Sequence, residues 1–261
     1  MEKFGWNSST YLKFKEERTQ PSRDLAAAIK LEAPKCIVDI GCGPGNSTAV
    51  LKAKYPEAEV IGVDNSENML EKARANHHDI KFVYCDVSKG FEGVKELEGG
   101  FDVVFSNACI QWVPEHHKLI PNMLGLLKKG GVMAVQVPLT ERQPMHKALN
   151  DIAKLGKWQG RFPDLGSYHT LSAEEYYDVL TEHADYFRMW ETTYYHRLNG
   201  CEGVIEWYRG SALRPYLQRL DEAEQKEFEG QLLEMIKDSY HVQKNGEIIF
   251  RFPRLFFTAS V

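Results

Sequence analysis

Gly41, Gly43 and Gly45 stand in the run Asp39-Ile40-Gly41-Cys42-Gly43-Pro44-Gly45-Asn46-Ser47-Thr48, directly after an apolar stretch. A glycine turn of this kind lets backbone lie against a ligand, because no Cβ intervenes and positive φ costs little. Asp64 follows at the end of a second apolar run, Glu59-Val60-Ile61-Gly62-Val63-Asp64. A carboxylate at that place can accept from both hydroxyls of a ribose. A dinucleotide site asks for G-x-G-x-x-G, whose third glycine lets the pyrophosphate-carrying helix pack close to its sheet. Here Asn46 holds that position. The spacing G-x-G-x-G points to a nucleoside cofactor without a pyrophosphate and counts against a nicotinamide oxidoreductase.

Other residues extend this chemistry. Asp39 either orients the glycine loop or contacts a positively charged ammonium. Asp86, after a third apolar run, is placed to accept the amino group of an adenine. Met69 suits either the adenine face or the helix's own core packing. In Ser106-Asn107-Ala108-Cys109-Ile110-Gln111-Trp112, Asn107 and Ala108 are expected to meet the far end of the cofactor. Gln111 and Trp112 should border the reacting centre. His116 and His117 read as a solvated pair at a helix start.

These residues need strands to present them. The pattern predicts strands at 36–40, 59–63, 80–84, 101–107 and 132–137, with helices at 46–55, 66–76 and 117–127 between them. Lys128-Lys129-Gly130-Gly131 reads as a helix stop and turn. The alternation implies an α/β fold with a mostly parallel, helix-covered sheet. Residues 8–32 read as helix with a break at Thr19-Gln20-Pro21. The second half is more polar and aromatic: a strand near 187–198, helices at 201–213 and 222–240, and two antiparallel strands over 247–260 meeting near Pro253. One domain is expected over residues 1–261. Its core comprises 30–138, 186–198 and 247–261; a cap comprises 1–29, 139–185 and 199–246.

The 261 residues carry a net charge of −5, which gives no field to attract a nucleic-acid backbone. No apolar run approaches the ~20 residues needed to span a bilayer, and the first residues lack a signal-peptide core. The five cysteines form no C-x-x-C pair, so buried thiols in a reducing cytoplasm and no metal site are expected.

The glycine motif, Asp64, Asp86 and the segment after the fourth strand together resemble the class I S-adenosylmethionine-dependent methyltransferases. The likeness tightens in Val135-Gln136-Val137-Pro138, Thr192-Thr193-Tyr194-Tyr195-His196, Ala212-Leu213-Arg214-Pro215-Tyr216-Leu217 and Phe252-Pro253-Arg254-Leu255-Phe256. It tightens too in Trp6-Asn7-Ser8-Ser9-Thr10-Tyr11 with Phe14 and Arg18. These segments resemble the branch that esterifies small tricarboxylic acids. Ser8, where the pattern has proline, and residues 156–172 depart from it.

The resemblance implies a Rossmann-like, mostly parallel seven-stranded sheet with an antiparallel last strand, helices on both faces and helical cap insertions. It implies S-adenosyl-L-methionine as cofactor and methyl transfer to a carboxylate, trans-aconitate foremost, giving a monomethyl ester and S-adenosyl-L-homocysteine. Asp39, Gly41, Cys42, Gly43, Asp64, Asn65, Met69, Asp86, Val87, Asn107, Ala108, Gln111 and Trp112 would bind cofactor, with Tyr11 or Arg18 near its carboxylate. Arg214, Arg254, Arg209, Tyr195, His196 and Trp112 would hold the acid. The strand alternation puts Tyr194 and His196 on one side and Tyr195 on the other. A carboxylate is already ionised at neutral pH, so no catalytic acid or base is expected. The protein is expected to be a cytoplasmic monomer or weak homodimer. Other readings are a methyltransferase for another small or carrier-bound acid, a nucleic-acid methyltransferase, and a silent cofactor-binding protein.

Overall fold

The computed structural model describes residues 14–163, 165 and 168–261. Its strands are β1 (Cys36–Ile40), β2 (Glu59–Asp64), β3 (Lys81–Tyr84), β4 (Phe101–Asn107), β5 (Leu127–Pro138), β6 (Tyr186–Leu198) and β7 (Ile248–Ser260). Its helices are α1 (Lys15–Ala28), α2 (Asn46–Lys54), α3 (Glu67–Asn76), α4 (His116–Leu124), α5 (Pro144–Ile152), α6 (Ala173–His183), α7 (Gly200–Arg209), α8 (Arg214–Leu217) and α9 (Glu222–Ile236). The strands form one seven-stranded sheet in the order β3-β2-β1-β4-β5-β7-β6. Strands β1 to β5 pair in parallel, and β7 runs antiparallel to β5.

The register sets up the site. Ile40 pairs with Val63, and Asp39 pairs with Phe105. Gly41, Asp64 and Asn107 therefore emerge together at the carboxyl ends of β1, β2 and β4. The chain reverses direction across the sheet between β1 and β4, where open α/β sheets take their ligands. Central strands read as apolar runs because helices cover both faces. Ile37, Val38, Ile40, Val103, Val104, Phe105, Met133, Ala134 and Val135 are wholly buried.

The chain forms two compact units. A sheet unit comprises 18–138, 168–192 and 254–261; a helical unit comprises the described parts of 1–17, 139–167 and 193–253. Residues 18–29 and 168–185, expected in the cap, lie in the sheet unit. Leu25 and Ala26 are buried there, and Tyr176 packs on Phe257 with ring centroids 5.2 Å apart. Residues 193–198 and 247–253, expected in the core, lie in the helical unit. There Trp207 gathers Phe14, His196, Phe250 and Phe252 around its ring. A second aromatic cluster joins Trp158, Phe162, Tyr216 and Phe228. Trp158 is fully buried, and its Nε1 donates to Gln231 Oε1 at 2.7 Å.

Three local expectations are corrected. Helix α1 runs through Pro21 without a break, held by burial of Thr19, Pro21, Ser22, Leu25 and Ala26 on one face. The Lys128–Gly131 segment is not a turn. It belongs to β5, as a bulge between the Phe101–Leu127 and Val103–Val132 pairs. Strand β7 is continuous through Pro253. Its ladder to β5 ends at Arg254, so the missing N–H of Pro253 costs no bond on that side. The reversal lies upstream, where Val242 bridges Ile248.

Candidate cofactor site

Asp39 is completely buried, and Ser47 Oγ and Thr48 Oγ1 donate to its Oδ2 at 2.6 and 2.7 Å. Burial drives its carboxyl up to about 6, against the pull of the two hydroxyls. Asp39 thus ties the start of α2 to the end of β1, which is the loop-orienting role. Its Oδ1 has no hydrogen-bond partner among the described residues. Two hydroxyls at a helix start after an acidic strand end are the sequence signal for this role of Ser47 and Thr48.

The glycine loop is pinned from below. Gly41 N and Cys42 N both donate to Val63 O, at 2.8 and 3.0 Å. Gly43 N donates to Asp64 Oδ2 at 2.9 Å, and Ser66 N donates to Asp64 Oδ1 at 2.8 Å. Asp64 therefore holds the loop and starts α3. Gly41 has φ +72°, and a Cβ there would lie 1.9 Å from Cys109 Sγ. Gly45 has φ +90°, and its Cβ would lie 2.7 Å from the His77 ring. Close packing of the helix start thus falls to Gly45, which is why Asn46 is tolerated. Gly43 has φ +54° and nothing within 4 Å of its would-be Cβ, so the loop has open space above it.

Along the crevice, Met69 is half-buried, Asn65 exposed and Val87 buried. Asp86 accepts from Ser88 Oγ at 2.6 Å and pairs with Lys89 at 3.1 Å. The Ser88 hydroxyl foremost, and then Lys89, hold its carboxyl below the usual range. Ala108 has φ +53°, a conformation that non-glycine residues adopt at a cost of roughly 1–3 kcal/mol. Its N–H donates to Gln136 O at 3.0 Å. Gln111 Nε2 donates to Ala108 O at 2.8 Å. The side-chain oxygens of Asn107 and Gln111 are buried without partners among the described residues.

Trp112 is 47% exposed, its ring edge-on to Tyr168 at 4.5 Å, so it is not core packing. His116 is no surface residue. It is buried, with Nε2 2.8 Å from Ile110 O and Nδ1 2.6 Å from Tyr176 Oη. A carbonyl only accepts, so Nε2 carries the proton and the tyrosine hydroxyl donates to Nδ1. Burial holds His116 below the usual imidazole range. His117 is exposed.

The methyltransferase domain model matches residues 37–131, the segment that carries these features. Two trans-aconitate 2-methyltransferases of Escherichia coli strains are 39% identical over 254 residues, covering 97% of this chain and 97% of each relative. The chain belongs to the class I S-adenosylmethionine-dependent methyltransferases. Among solved structures, the YcgJ protein of Bacillus subtilis superposes with a TM-score of 0.61 at 16% identity, covering 92% of this chain and 97% of that one. Phosphoethanolamine N-methyltransferase 2 of Haemonchus contortus, in complex with S-adenosyl-L-methionine, gives 0.54 at 17% identity, covering 92% and 52%. The expected seven-stranded sheet with its antiparallel last strand is the fold found.

The residues fit this methyltransferase cofactor. The orphaned oxygens of Asp39 and Asn107 are acceptors suited to an ammonium, and the space over Gly43 suits a chain without a side group. Among the described residues no His, Cys, Asp or Glu cluster is set to hold a metal ion. Burial raises the Cys42 and Cys109 thiols, Cys109 to about 12, so neither is a nucleophile at neutral pH.

Of the residues expected to hold the acid, Arg254 is 5% exposed, and its Nη1 donates to Gln136 Oε1 at 3.1 Å. Arg214 is half-buried in the helical unit, with no side-chain ion pair among the described residues. Tyr195 is 63% exposed, with the Arg251 guanidinium 5.5 Å from its ring centroid. Tyr194 and His196 stack on the opposite side of the strand. Arg209, expected among the clamping cations, is tied at two points to Glu229, at 2.5 and 2.6 Å. His196 is buried and stacked on Trp207 at 4.6 Å, a packing role. Arg18 lies half-buried on α1, and Tyr11 is outside the described residues. The sequence signal for Gln136 is a lone amide inside an apolar strand.

Proposed function

We propose that this methyltransferase esterifies a carboxylate of a small tricarboxylic acid, trans-aconitate foremost, giving a monomethyl ester and S-adenosyl-L-homocysteine. The observation that carries the reading is 39% identity over 97% of the chain to relatives named for that acid. That extent takes in the helical unit as well as the cofactor-binding sheet. Arg254 adds support from chemistry, since a planar guanidinium suits a carboxylate.

When bound, S-adenosyl-L-methionine supplies an electrophilic methyl group on sulfur. Gly41, Cys42, Gly43, Asp64, Asn65, Met69, Asp86 and Val87 are assigned to its nucleoside end. Asp39, Asn107, Ala108, Gln111, Trp112 and Arg18 are assigned to its amino-acid end. The acid needs no general base, because a carboxyl group titrates near pH ~4 and is ionised at pH ~7. The protein's contribution is to align the carboxylate and exclude water, which can supply roughly 7–11 kcal/mol. Arg254 and Trp112 are assigned to the acid. Arg214 and Tyr195 are candidates to be tested singly. The same reading makes the enzyme a cytoplasmic monomer or weak homodimer that acts on a free acid and not on nucleic acid, in keeping with its net charge of −5.

The test is a turnover assay with S-adenosyl-L-methionine and trans-aconitate, cis-aconitate, citrate, isocitrate or isopropylmalate, reading S-adenosyl-L-homocysteine. Selective turnover of trans-aconitate is expected. Cofactor binding with no turnover of any acid would discard this substrate class and turn attention to carrier-bound acids.

A further inference from the structure

Gln136 lies on β5 with no solvent exposure, in the otherwise apolar run Val132-Met133-Ala134-Val135-Gln136-Val137. A lone amide there is costly unless each of its polar atoms is bonded. Its oxygen accepts from Arg254 Nη1. A guanidinium has only donors, so the oxygen must face Arg254 and the amide nitrogen must point elsewhere. That nitrogen, Nε2, is buried and has no acceptor among the described residues. Gln136 pairs in register with Asn107 of β4, and Pro138 pairs with Arg254 of β7. Neighbours in register carry their side chains on the same face of a sheet. A buried guanidinium, a buried amide donor and the unpartnered Asn107 oxygen thus form a row across three strands, ending where the cofactor is assigned.

We propose that Gln136 selects the substrate: its Nε2 donates to a carboxylate oxygen of the acid that Arg254 helps to hold. The inference rests on the proposed carboxylate methylation. With the Asn107 oxygen assigned to the cofactor ammonium, an acid anion brings the acceptor lone pair that Gln136 Nε2 lacks. A buried donor satisfied only by that anion penalises any analogue without the matching carboxylate. The amide also fixes the Arg254 fork without adding a second buried charge.

The test compares wild type, Gln136→Glu and Gln136→Met. Glutamate keeps an acceptor for Arg254 and removes the donor; methionine keeps the volume and guards against a misfolded glutamate variant. KM is measured for trans-aconitate and for its dicarboxylic analogues glutaconate, itaconate and mesaconate, with Ki used for any acid not turned over. S-adenosyl-L-methionine affinity is measured by calorimetry. We expect KM for the tricarboxylate to rise about 10- to 100-fold in both variants. At least one dicarboxylate should change less than about threefold, and cofactor affinity should hold within about twofold. An equal penalty for all four acids, an unchanged KM for trans-aconitate, or a loss confined to cofactor affinity would overturn the assignment while leaving the methylation reading intact. A wild type that binds cofactor but neither turns over nor binds any of the acids overturns both.

Discussion

The Asp39 carboxylate is wholly buried beside two hydroxyls, and its raised pKa gives stability a definite dependence on pH. The folded state holds the proton more tightly than the unfolded chain. The resulting stabilisation is fully present below pH ~4 and is lost as pH rises through about 6. Asn in its place can still accept from Ser47 and Thr48 but does not titrate. Between pH 4 and 7 the stability of Asp39→Asn should therefore rise relative to wild type, by on the order of 2–3 kcal/mol. Parallel urea-unfolding curves at the two pH values would refute this. Gly41 makes a steric prediction. Alanine there meets Cys109 and must adopt positive φ, costing about 1–2 kcal/mol for the backbone and about 1–3 for the clash. Gly41→Ala should lose both stability and cofactor affinity, whereas Gly43→Ala, with φ +54° but open space at its Cβ, should cost only the backbone share of about 1–2 kcal/mol while losing affinity. Chemical unfolding and calorimetry on the pair check this.

The turn Ile110–Trp112 is held by the segment that leads into α6 and by α6 itself. His169 N donates to Gln111 O at 2.9 Å, Tyr168 meets Trp112 edge-on, and Tyr176 reaches the turn through His116. The turn carries Gln111 and Trp112 and has no regular ladder of its own, so these contacts replace one. Tyr176→Phe removes the hydroxyl and leaves His116 Nδ1 buried without a donor. It should cost about 1–3 kcal/mol and both lower cofactor affinity and raise KM for the acid, because the turn carries Gln111, assigned to the cofactor, and Trp112, assigned to both. An unchanged melting temperature would count against the anchoring role. Strand β7 illustrates a different effect at this scale. Pro253 reads as a break, but an edge of a ladder can absorb a missing N–H, and seven pairs to β5 follow it.

In the whole molecule, cofactor binding is assigned to residues of the sheet unit only. Saturating S-adenosyl-L-homocysteine should stabilise the fold by mass action, about 2.7 kcal/mol at 100 times Kd. Hydrogen exchange should show the new protection in 39–48, 62–66 and 106–112, with little in 200–236. Equal protection of α7 and α9 would contradict that division. No described helix is long and apolar enough to cross a membrane. Sequence alone determined the strands β1, β2 and β4 nearly to the residue, because runs buried on both faces are continuous and are closed by Gly41, Asp64 and Asn107. It also determined the glycine loop and Asp64, because backbone approach and positive φ restrict residue type within a few positions. Tertiary structure decided the rest. His116 reads as a surface histidine until Tyr176, sixty residues away, supplies its donor. Arg209 and Arg254 look alike in sequence, yet Glu229 occupies one and Gln136 meets the other. A local pattern specifies the secondary structure that a backbone adopts; the partner of a charged side chain depends on contacts across long stretches of chain, which only the folded molecule brings together.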